Sequence, residues 1–201
     1  MSVLSKAREL FGDVGTYDKD DRIYADISFE AYGPEPSRRK MIGDYKYDEN
    51  HSRKDVAIYS NGSTVIIGFK GTSSPKEVKK DIKLIQGKVP IRYLNRSKEY
   101  FDYIKRVLPG KNYILTGHSL GGLKAMWVAK GTGLKGVVFN PFIPEISGSI
   151  IDLAMDTPGI KKYTVIGDFL SNNILKLSKD KTNTVLVKVP GLNKHTINNF
   201  V

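Results

Sequence analysis

One short stretch constrains the fold of this chain more than any other. Residues 117–121 read Gly-His-Ser-Leu-Gly, which fits the pattern G-x-S-x-G. The apolar run Tyr113–Leu115 before it is typical of a buried strand, and Leu123–Ala129 after it is built of helix formers. A serine at such a turn has strained backbone angles and an exposed hydroxyl, and Gly117 and Gly121 let strand and helix approach closely. The stretch therefore predicts a nucleophile elbow at Ser119; the alternative is a glycine-rich connection with an inert serine.

A nucleophilic serine needs a base, and the chain has 3 histidines. His118 is the neighbour of Ser119 on a tight turn, where adjacent side chains point different ways, so we expect it to pack under the elbow. His51 lies in an exposed polar loop. His195 follows a strand-like run and lies in a short polar loop, and in enzymes with this kind of elbow the histidine comes last in the chain. His195 is therefore the predicted base.

The acid of such a site should lie between the serine and the histidine, at the end of a strand. The apolar run Tyr163–Ile166 leads into Gly167-Asp168, which fits this position. Asp168 is the predicted acid, with a turn-capping aspartate as the alternative. Three rival carboxylates fit less well, because two lie in a segment with helical spacing and one lies in a charged turn: Asp152, Asp156 and Asp180.

Four segments together resemble the class 3 lipases, the fungal triacylglycerol lipase group of α/β-hydrolases. They are Phe69-Lys70-Gly71-Thr72, Gly117-His118-Ser119-Leu120-Gly121-Gly122, Gly167-Asp168, and Val189-Pro190 with His195. The run Asp26–Tyr32 looks like an early helix of that family, so the resemblance spans about residue 22 to the C-terminus. It implies that Thr72 and Leu120 form the oxyanion hole and that Asp81 braces the oxyanion loop. Lys70 stands where the family usually has arginine, the tryptophan usual near Asp81 is absent, and the spacings between the three candidate catalytic residues are short for the family.

Length and composition predict one domain over residues 1–201, with residues 1–21 as an N-terminal extension. With 40% hydrophobic residues, a chain of this length can bury one sizeable core. No window approaches the run of about 18 apolar residues that a membrane span needs. The first residues lack the apolar segment of a signal peptide, which favours a cytoplasmic or other intracellular location. The chain has no cysteine, which excludes disulfides and thiolate metal sites, and the predicted chemistry needs no cofactor or metal.

The net charge of +11 comes from Lys and Arg spread along the chain, and no nucleic-acid-binding motif accompanies it. A solvated basic surface and attraction to an anionic membrane or phosphorylated substrate are both open. Ser74-Pro75-Lys76-Glu77 is a complete helix start, which predicts a helix over 74–85 with one apolar stripe. That helix either packs on the core or contacts anionic lipid through four lysines: Lys76, Lys79, Lys80 and Lys83.

The remaining pattern alternates strands and helices. Two apolar runs, residues 55–59 and 64–67, flank Asn61-Gly62, the strongest short hairpin signal. Helices are expected over 3–11, 22–33 and 97–108, and a further buried strand over 136–140 is followed by an insertion through residue 159. The run 131–136 fits G-x-G-x-x-G, but it follows a helix and precedes a strand, so it predicts a helix-ending turn rather than a dinucleotide site. This order predicts a compact α/β-hydrolase fold, with a mainly parallel central sheet and helices on both faces.

The predicted activity is hydrolysis of a carboxylic ester, most simply a lipid ester, by a serine hydrolase of the lipase or phospholipase kind. Ser119, His195 and Asp168 would act through an acyl-enzyme. Two alternatives remain: a catalytically silent lipase-like scaffold, and an esterase or thioesterase acting on soluble substrates.

Overall fold

The computed structural model describes residues 15–72, 91–142, 157–168, 183–188 and 194–201. Three α-helices lie in these ranges: α1 (Arg22–Glu30), α2 (Ile91–Val107) and α3 (Leu120–Thr132). The strands are β1 (Met41–Ile42), β2 (Tyr45–Tyr47), β3 (Val56–Ser60), β4 (Thr64–Phe69), β5 (Asn112–His118), β6 (Lys135–Phe139), β7 (Ile160–Val165) and β8 (Thr184–Val187).

The strands form one sheet in which spatial order follows chain order, from β1 to β8. The first four strands pair antiparallel, and the predicted hairpin joins β3 to β4, with Ile58 opposite Ile67. From β4 to β8 every pairing is parallel. The predicted fold class, a mainly parallel sheet entered through an antiparallel hairpin, is therefore confirmed.

Helices cover both faces of the sheet, as expected. On one face, α2 and α3 pack against alternate residues of the central strands, including Ile67 and Leu115. On the other face, α1 packs through Ile27 and Ala31 against residues such as Ile66. Because both faces are covered, β4 and β5 are almost wholly buried, which explains why their sequences read as apolar runs without alternation.

Several boundaries differ from those expected. The sequence pattern gave no sign of β1 and β2, which are very short edge strands. Helix α2 begins at Ile91, a turn and a half before the expected start. Before Ser97 only Leu94 is buried, so this part of the helix carries little periodicity in the sequence. The run 131–136 does end a helix: Gly133 has φ +70° and its N–H donates to the carbonyl of Ala129.

Other expectations lie outside the described residues: the helices over 3–11 and 74–85, and nearly all of the insertion after β6. In the ranges that are described, no helix has both the length and the apolar character needed to cross a bilayer.

Candidate active site

The carboxyl ends of the parallel strands meet at one edge of the sheet, and this edge gathers the candidate residues. Ser119 follows β5, Asn140 follows β6, and Asp168 comes three residues after the end of β7. Thr72 lies three residues beyond the end of β4. Because neighbouring parallel strands end side by side, residues far apart in the sequence come together here, where α/β proteins usually place their sites.

Ser119 occupies the turn between β5 and α3 with φ +57° and ψ −126°. A non-glycine residue rarely adopts a positive φ, and such strain costs on the order of 1–3 kcal/mol. The glycines make the turn possible. A Cβ at Gly121 would lie 2.0 Å from the carbonyl oxygen of Phe69, and one at Gly117 would lie 2.4 Å from the backbone of Gly121. The predicted close approach of strand and helix is confirmed.

The structure brings the three predicted residues into one hydrogen-bonded chain. The Oγ atom of Ser119 lies 2.8 Å from Nε2 of His195, and Nδ1 of His195 lies 2.7 Å from Oδ2 of Asp168. Asp168 is fully buried, on a turn that Gly167 makes with φ +87°. With one imidazole nitrogen held by a carboxylate, the other can accept a proton from the serine hydroxyl.

The expectation of an exposed serine hydroxyl was wrong. Ser119 is only 3% exposed. The imidazole of His195 lies against its Oγ atom, and Gly71 packs so close that an added Cβ would stand 3.3 Å from the Cβ of Ser119. The loop of His195 and the segment of Gly71 therefore cover the serine in this structure.

The other two histidines do not contact Ser119 through their rings. His118 is buried, and its Nδ1 lies 2.9 Å from the Tyr32 hydroxyl, so the predicted packing role is consistent with its position. Its ring centroid lies 4.9 Å from that of His195. Burial, and then the neighbouring imidazole, lower the pKa of His118 well below its usual value, which keeps it neutral. The side chain of His51 is 24% exposed, and its Nδ1 lies 2.8 Å from Oδ2 of Asp48 in the same loop.

Thr72 and Leu120 are the two residues predicted to form the oxyanion hole. Leu120 is the first residue of α3, and the first N–H groups of a helix have no acceptor within the helix. Thr72 directly follows Gly71, which packs against Ser119 and against the carbonyl oxygen of His118. Both residues therefore belong to segments that flank the serine. Asp81, the expected brace of this loop, lies outside the described residues, as do the rival carboxylates Asp152, Asp156 and Asp180.

Sequence reasoning missed Asn140. This residue is fully buried, with φ +40°, and bonds through its side chain both to Val165 and to Lys194, the neighbour of His195. The sequence did offer one signal: Asn140 is a polar residue that comes directly after a buried strand, the next strand along the chain from that of the candidate nucleophile. Within the described ranges, no cluster of three or more histidine, aspartate or glutamate side chains could hold a metal ion.

No protein-family model and no curated protein matches the sequence. The structure, by contrast, is similar to solved structures. Among solved structures, the chain is similar to the native Rhizomucor miehei lipase propeptide complex, with 17% identity and a TM-score of 0.49 over 80% of this chain and 65% of that one. It is also similar to a fungal lipase–inhibitor complex described as a model for interfacial activation in lipases, with 14% identity and a TM-score of 0.45 over 80% of this chain and 77% of that one. The chain thus spans less than two thirds of the Rhizomucor miehei chain. On its own sheet order and its strained strand-to-helix turn, the chain has an α/β-hydrolase fold.

Proposed function

We propose that this protein is a serine hydrolase of carboxylic esters. One observation supports the proposal above the others: the continuous hydrogen-bonded chain from Ser119 through His195 to Asp168, with distances of 2.8 and 2.7 Å. Each link has the length that proton transfer and orientation of the imidazole require. The strained turn and the helix that begins behind the serine are the usual supports of such a nucleophile.

The reaction would proceed in two halves. As Ser119 Oγ attacks the ester carbonyl, His195 takes the hydroxyl proton, and Asp168 stabilises the imidazolium. The C–O bond to the alcohol then breaks, and His195 gives its proton to the departing alkoxide, leaving an acyl-enzyme. In the second half, His195 takes a proton from water, whose oxygen attacks the acyl carbon. The Ser119–acyl bond breaks, the carboxylic acid leaves, and the serine is reprotonated.

Thr72 and Leu120 are the proposed donors to the oxyanion that forms in both halves. Leu120 would give its backbone N–H at the positive end of the helix dipole. Thr72 would give its backbone N–H and hydroxyl. Donors fixed before the reaction stabilise developing charge without reorganisation, which makes them the largest single contribution in many hydrolases.

The substrate we propose is a lipid ester, so that the protein would serve in lipid degradation as a lipase or phospholipase. The resemblance in sequence to class 3 lipases and the high positive charge support this choice over a small soluble ester. A specific observation favours a second candidate, a catalytically silent lipase-like scaffold: Ser119 is 3% exposed, so its hydroxyl is covered.

A panel of p-nitrophenyl esters of increasing chain length, with and without anionic vesicles, tests the proposal. Wild type and Ser119→Ala should be compared with Ser60→Ala, a serine on the hairpin at the opposite edge of the sheet. We expect turnover by wild type and Ser60→Ala and essentially none by Ser119→Ala, with all three folded. Preference for longer chains, increased by vesicles, would indicate a lipid substrate.

A small fluorophosphonate reagent separates the two candidate functions. A hydrolase should react at Ser119, since the reagent needs only the activated hydroxyl and little space. No labelling and no turnover by folded wild type would contradict the hydrolase and leave the scaffold.

A further inference from the structure

Asn140 lies beside the segments that carry Ser119, His195 and Asp168, and within the described ranges its side chain is hydrogen-bonded to none of these three residues. Its side-chain Nδ2 donates to the carbonyl oxygen of Lys194 at 2.9 Å, and its Oδ1 accepts from the backbone N–H of Val165 at 2.8 Å. The residue is fully buried and has φ +40°. Its amide therefore uses both a donor and an acceptor, which few side chains offer together.

Each of these contacts leads to one of the three candidate catalytic residues. The Lys194 carbonyl belongs to the peptide group that joins Lys194 to His195. Val165 is the last residue of β7, and the turn after it, closed by a 3.0 Å bond from the Asp168 N–H to the Val165 carbonyl, presents Asp168. On its other side, the carbonyl of Phe139, the residue before Asn140, accepts the N–H of Ser119 at 3.1 Å.

We propose that Asn140 is the positioning residue for the imidazole of His195, tying the loop that carries the histidine to the strand that carries the acid. This inference rests on the proposed function, since positioning matters only if His195 acts as the base. Asn140 does not contact the substrate or the reacting atoms; it acts through the backbone on either side.

Physical reasons favour asparagine at this position. In the described ranges, Lys194 and His195 belong to no helix or strand, so side-chain hydrogen bonds to their peptide groups help to fix the position of the imidazole. The Asn199 amide also donates to the Lys194 carbonyl, at 3.1 Å, whereas Asn140 joins that carbonyl to β7 through Val165. Asparagine tolerates a positive φ better than other residues with a side chain, apart from aspartate. A neutral amide also adds no charge in this fully buried position.

Asn140→Asp tests the link with almost no change in shape. The carboxylate still accepts the Val165 N–H, but it replaces the donor with an oxygen facing the Lys194 carbonyl. The matched control is Asn183→Asp, because Asn183 also has a positive φ, +62°, and also donates through Nδ2 to a carbonyl, that of Pro158. Asn183 precedes β8, at the edge of the sheet opposite the site.

Two readouts are needed. With an ester that wild type hydrolyses, we expect Asn140→Asp to lower kcat roughly 10- to 100-fold and to change KM less than about twofold. The reason is that a displacement of a catalytic group by about 1 Å costs on the order of 100-fold in rate. In proton NMR, we expect the downfield resonance of the His195 Nδ1 proton, bonded to Asp168, to shift or broaden. Asn183→Asp should leave both unchanged.

The outcomes distinguish this inference from the proposed function. If folded wild type hydrolyses no ester and does not react with the fluorophosphonate, the proposed function fails, and the NMR readout still tests the position of His195. If wild type is active and Asn140→Asp matches it in kcat and in the resonance, the inference is overturned. Should Asn140→Asp not fold, Asn140→Gly suits the positive φ and removes both bonds, and its kcat and resonance decide the question in the same way.

Discussion

The ammonium group of Lys124, on α3, donates a 3.0 Å hydrogen bond to the carbonyl oxygen of Lys70. Lys70 is two residues before Thr72, so the helix that begins at the candidate nucleophile also holds the backbone that leads to the proposed oxyanion loop. Burial lowers the pKa of Lys124, while the carboxylate of Asp55 opposes that effect. A partly buried lysine with this contact is a structural link between the two halves of the proposed oxyanion hole.

Lys124→Met should therefore lower the stability of the protein and loosen the backbone that leads to the proposed oxyanion loop. The methionine keeps most of the aliphatic stem but leaves the Lys70 carbonyl without this donor, which should lower the free energy of unfolding by about 1–3 kcal/mol. Lys130→Met, an exposed change in the last turn of the same helix, should stay within about 0.5 kcal/mol of wild type. Urea denaturation of the three proteins measures this, and equal midpoints with equal slopes would show that the Lys124 bond contributes nothing.

Thr72 provides the sharpest test of the proposed oxyanion hole. Thr72→Val keeps the shape and removes the hydroxyl, so kcat should fall toward the roughly 10²- to 10³-fold loss seen when one oxyanion donor is removed. Thr72→Ser keeps a hydroxyl and should recover most of the activity. A Thr72→Val enzyme with wild-type kcat would exclude a catalytic role for the hydroxyl.

How much the sequence could reveal differs between parts of the molecule. The buried strands β4 and β5 were predictable, because a strand covered on both faces needs an apolar run. Strands β1 and β2 were not, since edge pairs this short carry too few residues to show a period. Ser119, Asp168 and His195 could be chosen from the residues next to each of them and from their order along the chain, both of which the sequence shows directly. Asn140 depends on partners 25 and 54 residues away, so only the fold reveals its contacts.

Gly121 should not tolerate a side chain. A methyl group there would lie 2.0 Å from the Phe69 carbonyl oxygen, a backbone atom that cannot rotate away. Gly121→Ala should therefore destabilise the protein by at least about 1–3 kcal/mol and displace the turn that carries Ser119. Gly131 is in the same helix, and an added Cβ there meets only the flexible end of Lys98. Gly131→Ala should be neutral or stabilising by up to about 1 kcal/mol in thermal unfolding. Equal melting temperatures for the two variants would contradict the close packing at the turn.

The predicted helix over 74–85, which lies outside the described residues, remains a sequence-based prediction. If its basic face contacts anionic lipid, exchanging its lysines for glutamate should weaken vesicle binding, most strongly at low salt, with hydrolysis of a short soluble ester little changed. The four changes are Lys76→Glu, Lys79→Glu, Lys80→Glu and Lys83→Glu. The matched control reverses four exposed basic residues of the described ranges: Lys105, Arg106, Lys130 and Lys135. Equal losses from both sets in vesicle co-sedimentation would mean that the overall charge, and not this helix, governs binding.

The buried His118 should make stability depend on pH. Burial and the nearby His195 hold the pKa of His118 in the folded protein well below the value of about 6.5 in an unfolded chain. As the pH falls below about 6.5, the unfolded chain binds a proton that the folded protein does not, so the free energy of unfolding decreases. The decrease due to His118 approaches at most about 1.4 kcal/mol per pH unit, and it stops once the pH drops below the folded pKa.

His118→Asn removes this titration while leaving an amide near the Tyr32 hydroxyl that now contacts Nδ1. Its unfolding free energy should therefore change less steeply with pH than that of wild type across the range below about 6.5, even if the variant is less stable at neutral pH. Denaturant unfolding at a series of pH values gives both slopes. Parallel curves for the two proteins would mean that His118 binds a proton as readily in the folded state as in the unfolded chain, which would contradict the expected effect of burial on its pKa.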